Sequence, residues 1–252
     1  MRFAIVNKVS TPNQDSISLN KYISSTGICS RREADRMIDD GRVLLNGQIA
    51  QRGNRVFDGD QVTLDGKPIG SKPREIYIAL NKPVGIVSTT DSREPANIIR
   101  FVNHPERLFH IGRLDKDSQG LILLTNNGDI VNKVLRAGNN HDKEYIVTVD
   151  QNITNRFLVN MRKGVHILGT RTKKCTVIKL NSRQFKIILV EGMNRQIRRM
   201  CKHLGYNVLK LKRVRIMHLT LEGLNTGDWR ELTPQEIHQL KELVSGSAKD
   251  VK

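Results

Sequence analysis

The 252-residue sequence predicts an α+β fold made of a small N-terminal unit and a larger C-terminal unit. Beyond residue 75, segments typical of strands and helices are mixed without the regular alternation of parallel α/β folds. Residues 67–74 hold two prolines, one glycine and three positive charges, which indicates a linker at 66–74. Residues 1–17 and 246–252 show no periodic pattern and are predicted to be flexible tails.

The N-terminal unit, residues 18–65, carries clear local signals. Ser30 followed by Glu33 is a capping box, which predicts the start of a helix there. Gly41 can end that helix in a left-handed turn. The apolar run 43–45 before Asn46-Gly47 predicts a hairpin.

In the C-terminal unit, residues 75–245, short β-branched and apolar runs predict strands, and segments with a period near 3.6 predict helices. The predicted strands are 76–80, 121–124, 145–149, 177–180 and 185–190. The predicted helices are 129–137, 194–204 and 234–244.

Positive charge is concentrated in the C-terminal unit. The net charge is +17, yet residues 18–65 hold seven basic and seven acidic residues. Residues 151–221 hold seventeen basic residues against a single acid, Glu191. Because solvated surfaces usually intersperse both signs, this concentration favours a polyanionic partner, and nucleic acid above all.

Other classes of protein are disfavoured by the composition. No apolar stretch approaches the roughly 20 residues of a membrane span, and residues 1–18 lack the features of a secretory signal, so we expect a cytoplasmic protein. The three cysteines are widely separated, which argues against a disulfide framework. Cys201 and His203 alone do not make a metal site, so no metal is expected.

The segment most suggestive of chemistry is Gly112–Gly120, a charged stretch between two apolar runs. It holds Asp115 and Asp117 beside an arginine and a lysine. Loops held by a rigid sheet often carry function, but the same composition also suits a solvated turn.

A family resemblance decides between these interpretations. The string GRLDKDSQGLILLTNNG, residues 112–128, resembles the catalytic signature of pseudouridine synthases of the RsuA/RluB/RluF group. Three further motifs of that group follow the expected order, at 80–85, 143–145 and 194–200, and residues 18–65 resemble an S4 RNA-binding domain. Within the group, the segments NKPVGIVSTT, LRAGNNHDKEY and MNRQIRRMC are most similar to the RluF branch, which acts on 23S ribosomal RNA.

The resemblance implies site-specific isomerisation of uridine to pseudouridine in structured RNA, without a cofactor. Asp115 is implied as the carboxylate that acts on the ribose, either by attacking C1′ or by removing the C2′ proton. Tyr145 is implied to stack on the base and to accept or relay a proton. The resemblance also implies a mainly antiparallel catalytic sheet, 23S ribosomal RNA as partner with transfer RNA as a second substrate, and a monomer.

The helix predicted at 194–204 adds an independent argument about its arginines. Its apolar face is centred near Ile197 and Leu204. Arg198 lies about 100° from Ile197, at the border of that face, so its side chain can reach inward and pair with Asp115. The basic side chains on the opposite face are expected to contact phosphate: Arg195, Arg199 and Lys202.

Further RNA contacts are expected in both units. Arg113 precedes Asp115 and is implied by the resemblance to contact the uridine, or to replace it in the stack, when the uridine is flipped out. Lys82 of the first motif is included among the RNA contacts. In the N-terminal unit the expected contacts are Arg31, Arg32 and Arg36 on the capped helix, with Lys21 and Arg42 nearby.

Two alternatives compete with the enzyme. A non-catalytic S4-type protein that binds ribosomal RNA would show the same charge, but it would not need Asp115, Tyr145 and Arg198 together. A glycosidase or nucleosidase would normally use two catalytic carboxylates and has no use for the basic surplus.

Overall fold

The computed structural model describes residues 16–70, 73–135 and 141–245 of the chain. The chain divides into two compact units between Arg74 and Glu75. Of the two predicted tails, residues 1–15 and 246–252 lie outside the described residues, whereas Ile17 pairs with Val56 in a short strand. No helix in these described ranges is long and apolar enough to cross a membrane.

The N-terminal unit consists of two helices and several short strands. Its elements are β1 (Ile17–Ser18), α1 (Leu19–Ser25), α2 (Arg31–Asp39), β2 (Val43–Leu45), β3 (Gln48–Ile49), β4 (Arg55–Val56), β5 (Val62–Leu64) and β6 (Lys67–Ile69). The capping box predicted for α2 is confirmed, because Ser30 Oγ accepts from the Glu33 amide at 3.1 Å and the Glu33 carboxylate accepts from the Ser30 amide at 2.6 Å. Asn46 and Gly47 adopt positive φ values of 52° and 79°, as the predicted hairpin requires.

The linker predicted at 66–74 is wrong over its first part, because Lys67–Ile69 forms β6 and pairs with β5. The Asp65-Gly66 turn, with φ values of 50° and 76°, closes this second hairpin. Pro68 is tolerated since β6 lies at the edge of the order β3-β2-β5-β6, where a missing amide donor disrupts no inner ladder.

The C-terminal unit is built on one mixed sheet with flanking helices, as the predicted α+β class requires. Its strands are β7 (Tyr77–Lys82), β8 (Phe109–Ile111), β9 (Gln119–Thr125), β10 (Lys143–Val149), β11 (His166–Ile167), β12 (Thr170–Arg171), β13 (Thr176–Lys179), β14 (Gln184–Leu189), β15 (Val208–Ile216), β16 (Leu219–Thr220) and β17 (Trp229–Glu231). Its helices are α3 (Ile98–Val102), α4 (Gly128–Leu135), α5 (Asn155–Lys163), α6 (Gln196–His203) and α7 (Pro234–Ser245).

The sheet follows the order β13-β14-β10-β15-β9-β7-β17. Its pairs are antiparallel except for β9 with β15, which is parallel. Strand β9 is apolar and almost wholly buried, so both faces of the sheet are covered at its centre. One hydrophobic cluster contains Phe157, Phe185 and Met200, and another contains Ile78, Leu80 and Ile122.

Candidate active site

The loop between β8 and β9 carries Asp115 at one end of the central strands. Two neighbouring segments hold its backbone. The Ser88 hydroxyl donates to the Leu114 carbonyl at 2.8 Å and accepts from the Leu114 amide at 3.2 Å, and the Gly85 amide donates to the Lys116 carbonyl at 2.8 Å. The segment containing the first motif therefore fixes the path of the catalytic-motif loop.

The start of β9 brings this loop close to its sheet neighbours. Gly120 has a φ of 112°, and a Cβ there would lie 2.2 Å from the Arg213 carbonyl oxygen, so only glycine fits. Gly120 pairs with Lys82 on one side and with Arg213 on the other, and Arg213 in turn pairs with Tyr145. One row across the sheet thus aligns these side chains beside the Asp115 loop.

Asp115 is partly open to solvent, with 32% of its side chain exposed. One of its carboxylate oxygens, Oδ2, lies 3.5 Å from Nη1 of Arg195. The same guanidinium binds Asp117 with two hydrogen bonds, of 3.1 Å and 2.8 Å. These bonds from Arg195 hold the pKa of the Asp117 carboxyl below its usual range.

The predicted pairing of Arg198 with Asp115 is wrong. Arg198 does reach inward, with 14% of its side chain exposed, but its guanidinium donates to the Asp117 carbonyl at 2.8 Å and to the Val208 carbonyl at 3.1 Å. Its nearest carboxylate is that of Asp117, at 3.3 Å. Arg198 therefore fastens the backbone of the loop to the start of β15, and Arg195 approaches Asp115 instead.

The position of Arg195 in the chain explains why Arg195, and not Arg198, approaches Asp115. The predicted helix began at 194, but α6 begins at Gln196, and Arg195 is its N-cap in the left-handed conformation with φ 50°. Angular arithmetic for a helix does not apply to a residue outside it. The Arg195 side chain turns back to the loop and contacts Asp115 and Asp117, instead of standing on the outer helix face for the RNA phosphate contact expected for it.

Lys82 also departs from its expected role as an RNA contact, because it is fully buried at 0% exposure. Its ammonium donates to the Pro83 carbonyl at 2.9 Å and to the Ile86 carbonyl at 2.8 Å, which closes the turn of the first motif. Burial lowers the pKa of Lys82 to about 8, while the nearby charges of Asp115 and Asp117 oppose that shift. A buried ammonium cannot reach the RNA backbone.

Tyr145 is half-buried and packs against both hydrophobic clusters described above. Its backbone pairs with Arg213 on one side and Ile187 on the other, so the ring is fixed on the central sheet. The neighbouring Arg213 is buried, and its Nε donates to the Leu121 carbonyl at 2.7 Å. Sequence patterns missed Arg213 and Ser88 because each acts through a backbone partner distant in sequence. They also missed Ser118, whose hydroxyl accepts from the Arg198 guanidinium at 3.3 Å.

The remaining predicted RNA contacts are on the surface of their units, with two qualifications. Arg42 forms a two-bond ion pair with Asp65, so its guanidinium already has a carboxylate partner. Lys21 is half-buried. The exposed ones are Arg31, Arg32, Arg36, Arg113, Arg199 and Lys202.

Comparison with known proteins identifies the chain. The RNA pseudouridylate synthase family model matches residues 76–203, and the S4 domain model matches residues 18–62. The dual-specificity RNA pseudouridine synthase RluF of Escherichia coli strain K12 is 58% identical, over 94% of this chain and 82% of its own length. The chain belongs to the RNA pseudouridine synthase family.

Two further relatives agree with this membership. The ribosomal large subunit pseudouridine synthase B of Bacillus subtilis is 35% identical over 89% of this chain and 96% of its own. The crystal structure of a pseudouridylate synthase superposes with a TM-score of 0.65 and 28% identity, covering 89% of this chain and 99% of that one. The chain is an RNA pseudouridine synthase with an N-terminal S4 domain, so the predicted RNA uridine isomerase is confirmed and a purely binding role is not favoured.

Proposed function

We propose that this pseudouridine synthase uses Asp115 as its catalytic carboxylate and that its main substrate is large-subunit ribosomal RNA. The observation that carries the assignment is the position of Asp115, on a loop fixed by Ser88 and Arg198, with a guanidinium 3.5 Å from one carboxylate oxygen and part of the side chain open to solvent. A rigidly held but accessible carboxylate is what an attack on a flipped-out ribose requires.

The reaction needs no net oxidation or reduction. The bond between N1 and C1′ breaks, the detached base turns, and C5 bonds to C1′; C5 then loses its proton, and N1 is protonated. Asp115 can take part by attacking C1′ or by removing the C2′ proton, and the surroundings of its carboxylate suit both routes.

Tyr145 is proposed to stack on the turning base and to accept or relay the C5 proton. Its ring is held between two hydrophobic clusters, in the strand row that begins beside the Asp115 loop. Arg195 is proposed to orient the Asp115 carboxylate, and Arg198 is proposed to hold the loop that carries Asp115. Arg113, exposed two residues before Asp115, is proposed to occupy the space left by the flipped uridine.

The choice of RNA follows from the relatives. One is named for the ribosomal large subunit and another for dual specificity, so we propose 23S ribosomal RNA as the main substrate and a transfer RNA as the second. The exposed arginines of α2 are proposed to give an accessory phosphate contact: Arg31, Arg32 and Arg36. The protein is proposed to act as a monomer in the cytoplasm.

The direct test of the assignment is the substitution Asp115→Asn. Asparagine keeps the shape of the side chain but can neither attack C1′ nor act as a base, so isomerisation should fall by at least about a thousandfold. Pseudouridine formation in a 23S transcript would be measured under single-turnover conditions, and RNA affinity should stay within a few-fold of wild type. Asp117→Asn is the comparison variant. It removes a carboxylate from the same loop and weakens the bonds that hold Arg195, so its rate should fall by about tenfold, far less than the rate of the Asp115 variant. A rate near wild type in the Asp115 variant would refute the assignment.

A further inference from the structure

A second concave site lies away from the Asp115 loop, between the end of α5, the β11–β12 hairpin and the end of α6. The pocket has a volume of about 320 Å³. Four of its lining side chains are basic or imidazole groups, and all four are exposed: Lys163, His166, Arg171 and His203. None of the catalytic roles proposed above uses these residues.

The pocket has no acidic side chain to balance its cations. Between residues 151 and 190 the sequence has nine lysines or arginines and no aspartate or glutamate. Within the described part of the chain, the ion pairs include no partner for Lys163 or Arg171. Two cations that converge on a pocket without a carboxylate favour an anion from outside the protein.

The hairpin that forms one wall is built in an unfavourable backbone conformation. Leu168 and Gly169 form its turn with φ values of 50° and 77°, and a leucine rarely adopts the first of these. The Leu168 side chain is also 53% exposed. Gly164 allows the backbone of this wall to pack closely against Thr172, because a Cβ at position 164 would lie 2.2 Å from the Thr172 carbonyl oxygen. A strained exposed turn beside a basic pocket is typical of a surface used for binding.

Helix α6 connects this pocket to the catalytic loop. Its N-terminal end carries Arg195, which binds Asp117, and its last residue, His203, lines the pocket. The rise over these eight positions is about 12 Å. Between them, Arg199 and Lys202 are exposed; they are three residues apart and therefore lie on one face of the helix.

We propose that the pocket binds a backbone phosphate of the RNA strand that leaves the target uridine and runs along α6. The proposal rests on the function proposed above only for the direction of the strand. Lys163 and Arg171 would neutralise the phosphate, and Arg199 and Lys202 would contact the phosphates between the pocket and the catalytic loop.

A structural explanation for the same cations is that they complement helix dipoles. Lys163 and His203 are the last residues of α5 and α6, where positive charge is favourable. Arg171 belongs to a strand, so this explanation does not cover it. The two explanations differ in what they affect, since a dipole contact stabilises the fold and a phosphate contact changes the salt dependence of RNA binding.

The test compares two double variants with the same loss of charge. The double variant Lys163→Gln with Arg171→Gln removes the lysine and arginine charges that line the pocket. Arg156→Gln with Arg183→Gln removes two exposed arginines near the opposite end of α5, where the Ile153 amide bonds to the Ser182 carbonyl. Affinity for an unmodified 23S transcript would be measured by filter binding at several KCl concentrations, together with the melting temperature.

The pocket variant should bind about tenfold more weakly at moderate salt, and the slope of log affinity against log salt should fall by about one. The control variant should change the slope by much less, and the exchange Lys163→Arg with Arg171→Lys should preserve it. Each of three results would overturn the proposal. The pocket variant could show the same slope as wild type, both double variants could lose affinity equally, or the pocket variant could show a lowered melting temperature with an unchanged slope. The same salt titration is repeated with bulk transfer RNA. Because phosphate contacts are independent of RNA sequence, the slope should change in the same way with this RNA. An error in the 23S substrate assignment would instead appear in the isomerisation assay, so the two failures can be told apart.

Discussion

Arg195 contacts two carboxylates at once, and this makes it the most informative side chain of the candidate site. Its two bonds to Asp117 fix the plane of the guanidinium, and that plane sets the 3.5 Å approach to Asp115. Arginine suits this arrangement because its fork of donors is rigid and planar, whereas a lysine ammonium is a point charge on a flexible stem.

The substitution Arg195→Lys should therefore impair chemistry more than binding. The positive charge remains, but one ammonium cannot hold both oxygens of Asp117 and still orient Asp115. We expect the single-turnover rate at saturating RNA to fall by about tenfold or more, equivalent to about 1.4 kcal/mol of transition-state stabilisation.

Arg199→Lys is the matched control, since Arg199 is exposed on the same helix and its guanidinium bonds only to Asn194 among the described residues. Its rate should stay within about twofold of wild type. Equal rates in the two lysine variants would show that Arg195 is an ordinary phosphate contact, as the helical pattern first predicted.

At the scale of single elements, α7 shows how one carboxylate can secure a helix start. Glu236 accepts two bonds from Arg230 at 2.8 Å and 2.7 Å, and it also accepts from the Thr233 amide at 2.8 Å. The Thr233 hydroxyl accepts from the Glu236 amide at 3.2 Å in return, which completes a capping box before Pro234. The Arg230 bonds are the main reason that the pKa of Glu236 is lowered to about 2.

This lowered pKa predicts a defined pH dependence of stability. The folded-state pKa is below the ordinary value of 4.5, so the unfolded chain binds the proton more readily. The stabilisation is complete above pH 4.5 and is lost as the pH falls towards 2. Glu236→Gln should lower the melting temperature at pH 7 by about 2–4 °C, equivalent to about 1 kcal/mol, and the difference from wild type should shrink between pH 5 and pH 3.

Melting temperatures at pH 7, 5, 4 and 3 would measure this effect, with Glu222→Gln, a substitution of an exposed glutamate outside the cap, as control. A constant gap between Glu236→Gln and wild type across the series would contradict the role of the ionised carboxylate.

Local signals predicted some elements well and missed others for identifiable reasons. The capping box at Ser30, the helical period of residues 234–244 and the apolar β9 run predicted α2, α7 and β9 within a few residues of their observed bounds. Strand β15 was missed, although it lies between β9 and β10, because basic residues alternate along it and resemble an exposed segment. Its arginines are accommodated by tertiary partners, such as the Leu121 carbonyl for Arg213.

At the scale of the whole molecule, each of the two units has its own hydrophobic core. The N-terminal core contains Leu19, Ile23 and Ala34, and among the described residues the cores of the C-terminal unit include none before Ile76. The proposed catalytic residues all belong to the C-terminal unit. The division suggests that chemistry and accessory binding are separable.

A chain that begins at Glu75 should therefore fold and retain activity at saturating RNA, within about threefold of the full chain. Its affinity should fall by about tenfold or more, because the exposed arginines of α2 are lost with the S4 domain. Circular dichroism would establish folding, and single-turnover rates at rising RNA concentration would separate affinity from chemistry.

The full chain with Arg31, Arg32 and Arg36 changed to glutamine is the matched control, since it removes the charges and keeps the domain. It should reproduce most of the loss in affinity. A folded truncation without activity at saturating RNA would instead mean that the S4 domain takes part in forming the active site.

The α+β class, the two units, the family and the loop that carries Asp115 could all be predicted from the sequence. These depend on local patterns and on a contiguous motif, and such signals are complete within a few consecutive residues. Three features required the folded structure: which arginine approaches Asp115, the burial of Lys82, and the pocket shared by Lys163, Arg171 and His203. The physical reason is that these contacts join residues distant in sequence, and their geometry depends on where a helix begins, how strands are ordered and which charges the fold removes from water.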